Sequence, residues 1–328
     1  MRNFTGTQYL KIDIANMYGL DGENWDVRLN WVEENLDKLE EHVGDADKPA
    51  RYLKAVEALR DTQKGIPTGH LMGLDSTASC FQIMAILMGC LDTAKSVNLV
   101  DTGNREDVYQ NIADVMSKCC DKTITRKVAK APIMTTSYGS KAQPKKVFGD
   151  GTKELEAFYD TLSEVVPGAL ECMDDIVSCW QSDALVHSWR LPDGHTAEVK
   201  VMESVAERID IDELGTSFTH KAYINKGTER GISLIANIVQ SIDGYMVREM
   251  VRRCHRSGFE IITVFDEFLA HPNNMNSLRE HYIDILCEMS DMDLLGSILS
   301  DITGETIRME KGIDNLSDYI RKSEYALS

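Results

Sequence analysis

The sequence predicts an α+β chain that is predominantly helical and holds only a little sheet. Two observations carry that expectation. Apolar residues recur at three- and four-residue spacing through most of the first 70 positions, again from Lys153 to Trp180, and again after Ile232. Strand signals are few and short: His70-Leu71-Met72, the runs on either side of Pro192-Asp193-Gly194, and Phe259 to Phe268. At 328 residues the chain can bury a large core in one big domain or two, and its 43% hydrophobic content is ordinary for a folded soluble protein. Eight cysteines lie scattered with no CxxC pair, and the adjacent Cys119-Cys120 cannot form a simple zinc knuckle. There is no signal peptide, and the apolar run Phe81 to Leu91 is too short to span a bilayer. A reduced, cytoplasmic chain without a membrane partner is expected. The net charge of −18 excludes the broad basic face of a protein that grips duplex DNA unaided. Any nucleic-acid groove is therefore local, or completed by another chain.

The N-terminal third reads as scaffold. Leu10, Ile14 and Met17 share one face of a helix that Gly19-Leu20-Asp21-Gly22 breaks. A second helix is expected from Asp26 through Leu39, with Val27, Trp31, Val32 and Leu36 inward, and a third from Ala50 to Thr62. Next comes Asp75, between the expected strand His70-Leu71-Met72 and the helical run Phe81 to Leu91. An acid at such a junction is costly unless something pairs with it. It serves either as a helix N-cap or as a metal ligand.

Arg126, Lys130, Met134 and Tyr138 recur every four residues and so share one helix face, closed by Gly139. Two cations, a thioether and a phenol in a row suit a triphosphate, a base and a sugar; the same spacing also fits a solvated amphipathic helix with a glycine stop. Pro132 inside that stretch predicts a kink or a late helix start. Lys141, Lys145 and Lys146 suit either nucleic-acid phosphates or a solvated loop. Val186 to Leu191 and Thr196 to Val201 form a hairpin around Pro192-Asp193-Gly194, and residues 202–230 read as a polar, variable connection. His187 and His195 read as surface or hairpin residues rather than metal ligands. A long helix from Ile232 to Cys254 carries Asn237, Gln240, Ser241 and Asp243-Gly244. Phe259 to Phe268 reads as an apolar strand ending in the acids Asp266-Glu267, an arrangement that is rarely purely structural. Helices return from Asn276 to Asp301, and the last 25 residues form a tail.

Taken together, these segments resemble the single-subunit RNA polymerases of phages and mitochondria. Leu10 to Asn16, Tyr18-Gly19-Leu20 and Trp31 to Asn35 are similar to the segment before that family's first catalytic motif. Asp75, Ser79 and Gln82 look like motif A, with Ser76 and Cys80 at the two glycine positions, Ala78 at the Cys and Ile83 at the His. Val97-Asn98-Leu99 and Asp107-Val108-Tyr109 match further family elements at the family's spacing. Arg126 to Gly139 matches motif B, and Asp266 with Pro272 matches motif C, where Phe265 replaces His and Glu267 replaces Ser. Gln240 stands where the family has the His that touches the new base pair from the minor groove.

The resemblance implies a right-hand polymerase palm and fingers with a small antiparallel palm sheet, without the N-terminal domain and most of the thumb. Residues 1–115 and 231–328 would be the two parts of the palm, framed by the tail, and 116–230 the fingers. It implies two Mg²⁺ ions held by Asp75, the backbone carbonyl of Ser76, and Asp266. Catalysis would fall to Asp75, Asp266, Lys130 and Tyr138. Arg126 and Lys130 would hold the triphosphate, Met134 the base, Tyr138 the ribose, Gly139 the passing template and Gln240 the minor groove. Implied partners are a DNA template, an RNA product, ribonucleoside triphosphates and a second subunit supplying the N-terminal part with its Asp-x-x-Gly-Arg element, as in the two-chain polymerases of some tailed phages. For a phage-encoded chain, the compartment would be the host cytoplasm. Two alternatives stand beside this reading. One is an A-family DNA polymerase, towards which Gln240 and Asp266-Glu267 lean. The other is a non-catalytic polymerase-like subunit.

Overall fold

The computed structural model describes residues 1–120, 122–229, 231 and 233–328. It is mostly helical, with three small antiparallel sheets among the described residues. Helix α1 (Gly6–Ala15) starts at a capping box: Thr5 accepts from the Gln8 backbone while the Gln8 side chain accepts from the Thr5 N–H. Leu10, Ile14 and Met17 are buried as their spacing requires. A π-helical turn, Asn16–Leu20, then ends the element at Gly19, whose φ of +121° suits glycine.

Helix α2 (Trp25–Glu34) is shorter than expected, and a 3₁₀ segment, Leu36–Gly44, follows it. Its phase is set by Trp25, which stacks on Tyr325 at 5.2 Å and lies edge-on to Phe4. Trp25, Arg28, Leu29 and Val32 therefore face inward, and Val27, expected in the core, is exposed. Helix α3 (Pro49–Gln63) begins with proline in its first turn, where no N–H is required.

Strand β1 (Met72–Asp75) lies later than its sequence signal. Leu71 is exposed, and His70 turns aside to place Nε2 2.7 Å from Asp13 Oδ2. Helices α4 (Ser79–Met88), α5 (Leu91–Ser96), α6 (Val108–Cys119), α7 (Arg126–Thr136), α8 (Ala142–Phe148), α9 (Lys153–Val165) and α10 (Pro167–Ser178) follow. Gly89, in the left-handed region, stops α4 before the expected end at Leu91. Helix α7 starts at Arg126 and passes through Pro132, so the late start is not seen. Lys145 and Lys146 lie on α8, and Lys145 pairs with Asp150 at 3.1 Å.

Strands β2 (Val186–Arg190) and β3 (Thr196–Lys200) form the expected hairpin. His187 sits in it buried rather than on the surface, its ring stacked on Trp180 at 4.3 Å. Residues 202–230 correct the expectation of an irregular connection. Strands β4 (Met202–Ile211) and β5 (Thr216–Asn225) pair along their whole length as a largely exposed ribbon. Helix α11 (Ser233–Arg256) holds the hairpin in place, since its Arg248 and Arg252 both donate to Asp193 in the Pro192-Asp193-Gly194 turn. Ile232, the expected first residue of that helix, lies outside the described residues, as does Arg230, the expected end of the preceding region.

The expected single strand from Phe259 to Phe268 is instead a hairpin of β6 (Ile262–Val264) and β7 (Glu267–Ala270), with Phe265-Asp266 as its two-residue turn. Strand β7 pairs with β1 from Met72↔Ala270 to Asp75↔Glu267, giving the sheet order β1-β7-β6. Nor is the segment buried up to its acids: Ile262 and Val264 are exposed, while Phe268 and Ala270 enter the core with Met72 and Leu74. Helices α12 (Met275–Asp291), α13 (Leu294–Thr303) and α14 (Leu316–Ile320) close the chain. The final segment lies along the end of β1: Ser328 N donates to Asp75 O at 3.0 Å, and Thr77 Oγ1 donates to Tyr325 O at 2.8 Å.

Arg279 pins this arrangement from inside. Its buried guanidinium donates to Arg2 O at 2.9 Å, Tyr9 Oη at 3.2 Å and Glu324 O at 2.9 Å. It also lies over the ring of Trp25 at 5.2 Å. Arg279→Met is expected to destabilise the fold by about 3 kcal/mol, because two carbonyls lose a charged donor. The urea midpoint measures it; a shift equivalent to under about 0.5 kcal/mol, typical of a surface change, would contradict the anchoring role.

Candidate active site

Asp75 ends β1, and the turn after it is held from several sides. Ser76 N donates to the backbone oxygen of Asp266 at 3.2 Å, which ties the β1–α4 junction to the β6–β7 turn. Beneath the junction, Ser76 Oγ and Tyr282 Oη are 2.6 Å apart, and Tyr282 Oη donates to Gln82 Oε1 at 2.9 Å. Gln82 Nε2 then donates to Val97 O and Ala326 O, each at 3.0 Å. Burial holds the Tyr282 phenol far above its ordinary range, so it stays a neutral donor. The Ser76 side chain is thus turned inward, so that of this residue only the backbone carbonyl could serve a metal. Ala78 takes a left-handed φ of +56° in the turn, an uncommon state for a residue with a Cβ.

The β6–β7 turn brings Asp266 to the same place. Its neighbour Glu267 does not line the cleft: its carboxylate accepts from Arg51 Nη2 at 3.0 Å and lies over Gly73, where an added Cβ would come within 2.3 Å of Oε1. Asp243 of α11 is the third acid at the site. Burial, then the charges of Asp266 and Glu267, push the Asp75 carboxyl up to about 6. Burial and Asp266 push Asp243 up to about 6 as well. The charge of Asp266 thus acts on both other carboxylates.

The opposite wall comes from α6 and α7. Asn98, itself at a φ of +61°, brackets the loop before α6: Nδ2 donates to Glu106 O at 2.8 Å and Oδ1 accepts from Glu106 N at 2.7 Å. This fixes Asp107, whose Oδ1 caps α6 and whose Oδ2 accepts from Arg126 Nε at 2.5 Å. Arg126 and Lys130 both lie 5.6 Å from the centre of the Tyr109 ring. Met134 continues the face on α7, and Tyr138 follows in the turn after the helix rather than within it. Gly139 has a φ of +87° and ends the segment.

One cleft of about 790 Å³ takes in Asp75, Ser76, Asp266, Arg126, Lys130, Met134, Tyr138 and Gln240. Of the site residues expected from the sequence, only Gly139 is not among those lining it. Asp21, Arg105, Tyr109 and Asp243 line it too and were not singled out as site residues from the sequence. The Asp107-Val108-Tyr109 spacing was the signal for Tyr109, and the Asn237-Gln240-Ser241-Asp243-Gly244 pattern the signal for Asp243. Cys80 stands beside Tyr138 with its thiol donating to Ser137 O at 3.4 Å.

The charge balance of the cleft limits what can enter it. Six carboxylates line it (Asp21, Asp75, Glu106, Asp107, Asp243 and Asp266) against three cations, Arg105, Arg126 and Lys130. A polyanion entering this cleft alone would meet net repulsion, which an accompanying divalent cation would offset. The donors suit Mg²⁺, a hard ion that takes one or two carboxylates and completes its shell with water and substrate phosphate. Among the described residues no group of three or more His, Cys, Asp or Glu could hold a metal by itself. No helix among the described residues is long and apolar enough to cross a membrane.

Comparison with known proteins finds similarity to DNA-directed RNA polymerases. The family model for DNA-dependent RNA polymerase matches residues 3–148, the stretch that carries Asp75, Arg126, Lys130 and Tyr138. The mitochondrial DNA-directed RNA polymerase of Schizosaccharomyces pombe is 26% identical over 41% of this chain and 14% of its own length. That of Neurospora crassa is 27% identical over 48% and 13%. A probable DNA-directed RNA polymerase of Gelasinospora sp. is 22% identical over 93% of this chain and 44% of its own length. The chain thus spans less than half the length of these relatives. Among solved structures, the POL domain of Pol1 from M. smegmatis, complexed with DNA primer-template and dNTP, aligns over 73% of this chain and 41% of that one. Its TM-score of 0.39 at 15% identity carries no argument.

Proposed function

We propose that this chain, which belongs to the DNA-directed RNA polymerases of the phage and mitochondrial single-subunit type, catalyses DNA-templated RNA synthesis from ribonucleoside triphosphates. The observation that supports this most is the convergence of three distant stretches on one cleft: Asp75, then Arg126 to Tyr138, then Gln240 to Asp266. Two Mg²⁺ ions, when bound, would activate the 3′-hydroxyl of the growing strand and neutralise the triphosphate and its leaving group. Asp75 and Asp266 would hold them. Lys130 and Arg126 would orient the triphosphate and spread its charge. Tyr138, kept protonated by burial, would present its hydroxyl to the ribose. Gln240 would donate to minor-groove acceptors of the new base pair.

The test is extension of a primed single-stranded DNA template with Mg²⁺, offering ribonucleotides or deoxyribonucleotides separately. Ribonucleotide addition is expected, and Tyr138→Phe is expected to narrow the preference for ribonucleotides by about tenfold, the value of one hydrogen bond. Deoxynucleotide addition alone would favour the second reading, a DNA polymerase. The adjacent acids Asp266-Glu267 suggest that reading in sequence, but the Glu267 carboxylate is occupied by Arg51. The absence of metal-dependent addition by any form of the chain would favour a non-catalytic subunit.

We also propose a second polypeptide that completes the nucleic-acid groove. A net charge of −18 supports it, since so acidic a chain is poorly suited to grip a nucleic acid unaided. Purification of a lone monomer fully active on duplex DNA would contradict it.

A further inference from the structure

The sheet β1-β7-β6 places Asp75 directly opposite Glu267, so both side chains leave the same face. Like charges directly opposite in a sheet are destabilising. Yet the two acids part: Asp75 lines the cleft, and Glu267 does not. Two features hold Glu267 aside. Its Oε1 accepts from Arg51 Nη2 of α3 at 3.0 Å. The carboxylate also lies over Gly73, two residues before Asp75 on the same face. An added Cβ at Gly73 would meet Glu267 Oε1 at 2.3 Å, Cδ at 3.0 Å and Cγ at 3.2 Å. Gly73 sits buried in a strand with an ordinary negative φ, so no backbone conformation calls for glycine there. The missing Cβ is what makes room for the acid.

We infer that Arg51 and Gly73 are positioning residues that withhold the Glu267 carboxylate from the divalent-metal site, an inference that rests on the assignment of Asp75 and Asp266 as its ligands. Arg51 is half exposed, and an ion pair of that kind contributes little stability. Its effect is on where the carboxylate stands. Directly opposite Cβ atoms lie about 4.5–5.5 Å apart in such a sheet, so a freed Glu267 reaches an ion held by Asp75. A third carboxylate would bind that ion more tightly. It would also take a position that Mg²⁺ ordinarily leaves to water or substrate phosphate. The slot over Gly73 and the Arg51 guanidinium together keep that position open, although the sheet register brings Glu267 within reach of it.

The test is the divalent-ion affinity of the full chain, with Mn²⁺ as the probe and no nucleotide or nucleic acid present. The free ion is followed by its electron paramagnetic resonance signal. Wild type should bind Mn²⁺, and Asp266→Asn should weaken that binding. Arg51→Met should tighten it by about tenfold, the low end of what residues behind metal ligands control. Gly73→Ala should tighten it to a similar extent, because the Cβ expels the carboxylate while every charge is kept. Adding Glu267→Gln should remove the gain from either variant, and Arg51→Lys should stay near wild type. Tightening in Arg51→Met without tightening in Gly73→Ala would overturn the inference, since Arg51 would then act through its charge alone. Unchanged affinity in both would overturn it as well, and would leave Asp75 and Asp266 as ligands. If wild type bound no Mn²⁺, or bound it equally in Asp266→Asn, the metal assignment itself would fall and take the inference with it.

Discussion

Asp75→Asn and Asp266→Asn should each slow metal-dependent nucleotide addition by about 10³-fold, the rate equivalent of the several kcal/mol that a metal clamp supplies. The same substitutions should leave the metal-free fold as stable as the wild type or more so, because each removes one of the like charges converging on Asp266. The pH dependence follows from the raised carboxyls. In the fold Asp75 and Asp243 are pushed up to about 6, above the roughly 4 of a free Asp carboxyl. Between about pH 4 and 6 the folded chain keeps protons that the unfolded chain has lost, so stability in EDTA should fall as the pH rises across that window. Asp75→Asn should flatten the fall. Melting temperatures against pH, with and without Mg²⁺, check this. A large drop in metal-free stability in Asp75→Asn would mean that the acid is a structural cap rather than a ligand.

Lys130→Met should lower the single-turnover rate of nucleotide addition by about 10²- to 10³-fold, as loss of one fixed donor to developing charge does. The argument rests on which cation of the α7 face is uncommitted. Arg126 donates to Asp107 at 2.5 Å, and its charge is partly spent there. Lys130 forms no ion pair among the described residues, and its ammonium lies 5.6 Å from the centre of the Tyr109 ring. Its ammonium is the donor free to meet an incoming phosphate. Arg126→Met should therefore cost less than Lys130→Met, and Asp107→Asn should release Arg126 and partly offset a Lys130 loss. Rapid-quench measurement at saturating nucleotide decides the order. Equal rates for Lys130→Met and the wild type would remove Lys130 from the site.

What could be read in advance follows the range of the interactions. Helices α1, α3, α4 and α7 were legible because three- and four-residue spacing is a local signal, and so was the hairpin around Pro192-Asp193-Gly194. The β6–β7 turn was not, since Val264-Phe265-Asp266-Glu267 is an unbroken apolar-to-acidic run with no glycine, proline or asparagine to mark it. The β4–β5 ribbon was hidden because both faces meet water, so Glu203, Glu207, Arg208 and Asp210 interrupt the alternation a half-buried strand would display. Val27 was misplaced because the phase of α2 depends on Trp25 meeting Tyr325, 300 residues away in sequence. Within the site, the Arg126–Lys130–Met134–Tyr138 stripe was visible from spacing. Asp243 was named with Gln240 on the long helix, but its place among the acids of the site shows only once α11 is folded beside Asp266. The Ser76–Tyr282–Gln82 chain likewise joins residues some 200 positions apart.

The most direct test of the central claim is template-directed addition of a single nucleotide. A primed DNA template with one defined base beyond the primer is mixed with the chain, Mg²⁺ and each ribonucleotide in turn. Addition of the complementary ribonucleotide only, abolished by EDTA and by Asp266→Asn, is the expected result. Addition without regard to the templating base, or addition that survives Asp266→Asn, would contradict the assignment of this cleft to templated nucleotidyl transfer.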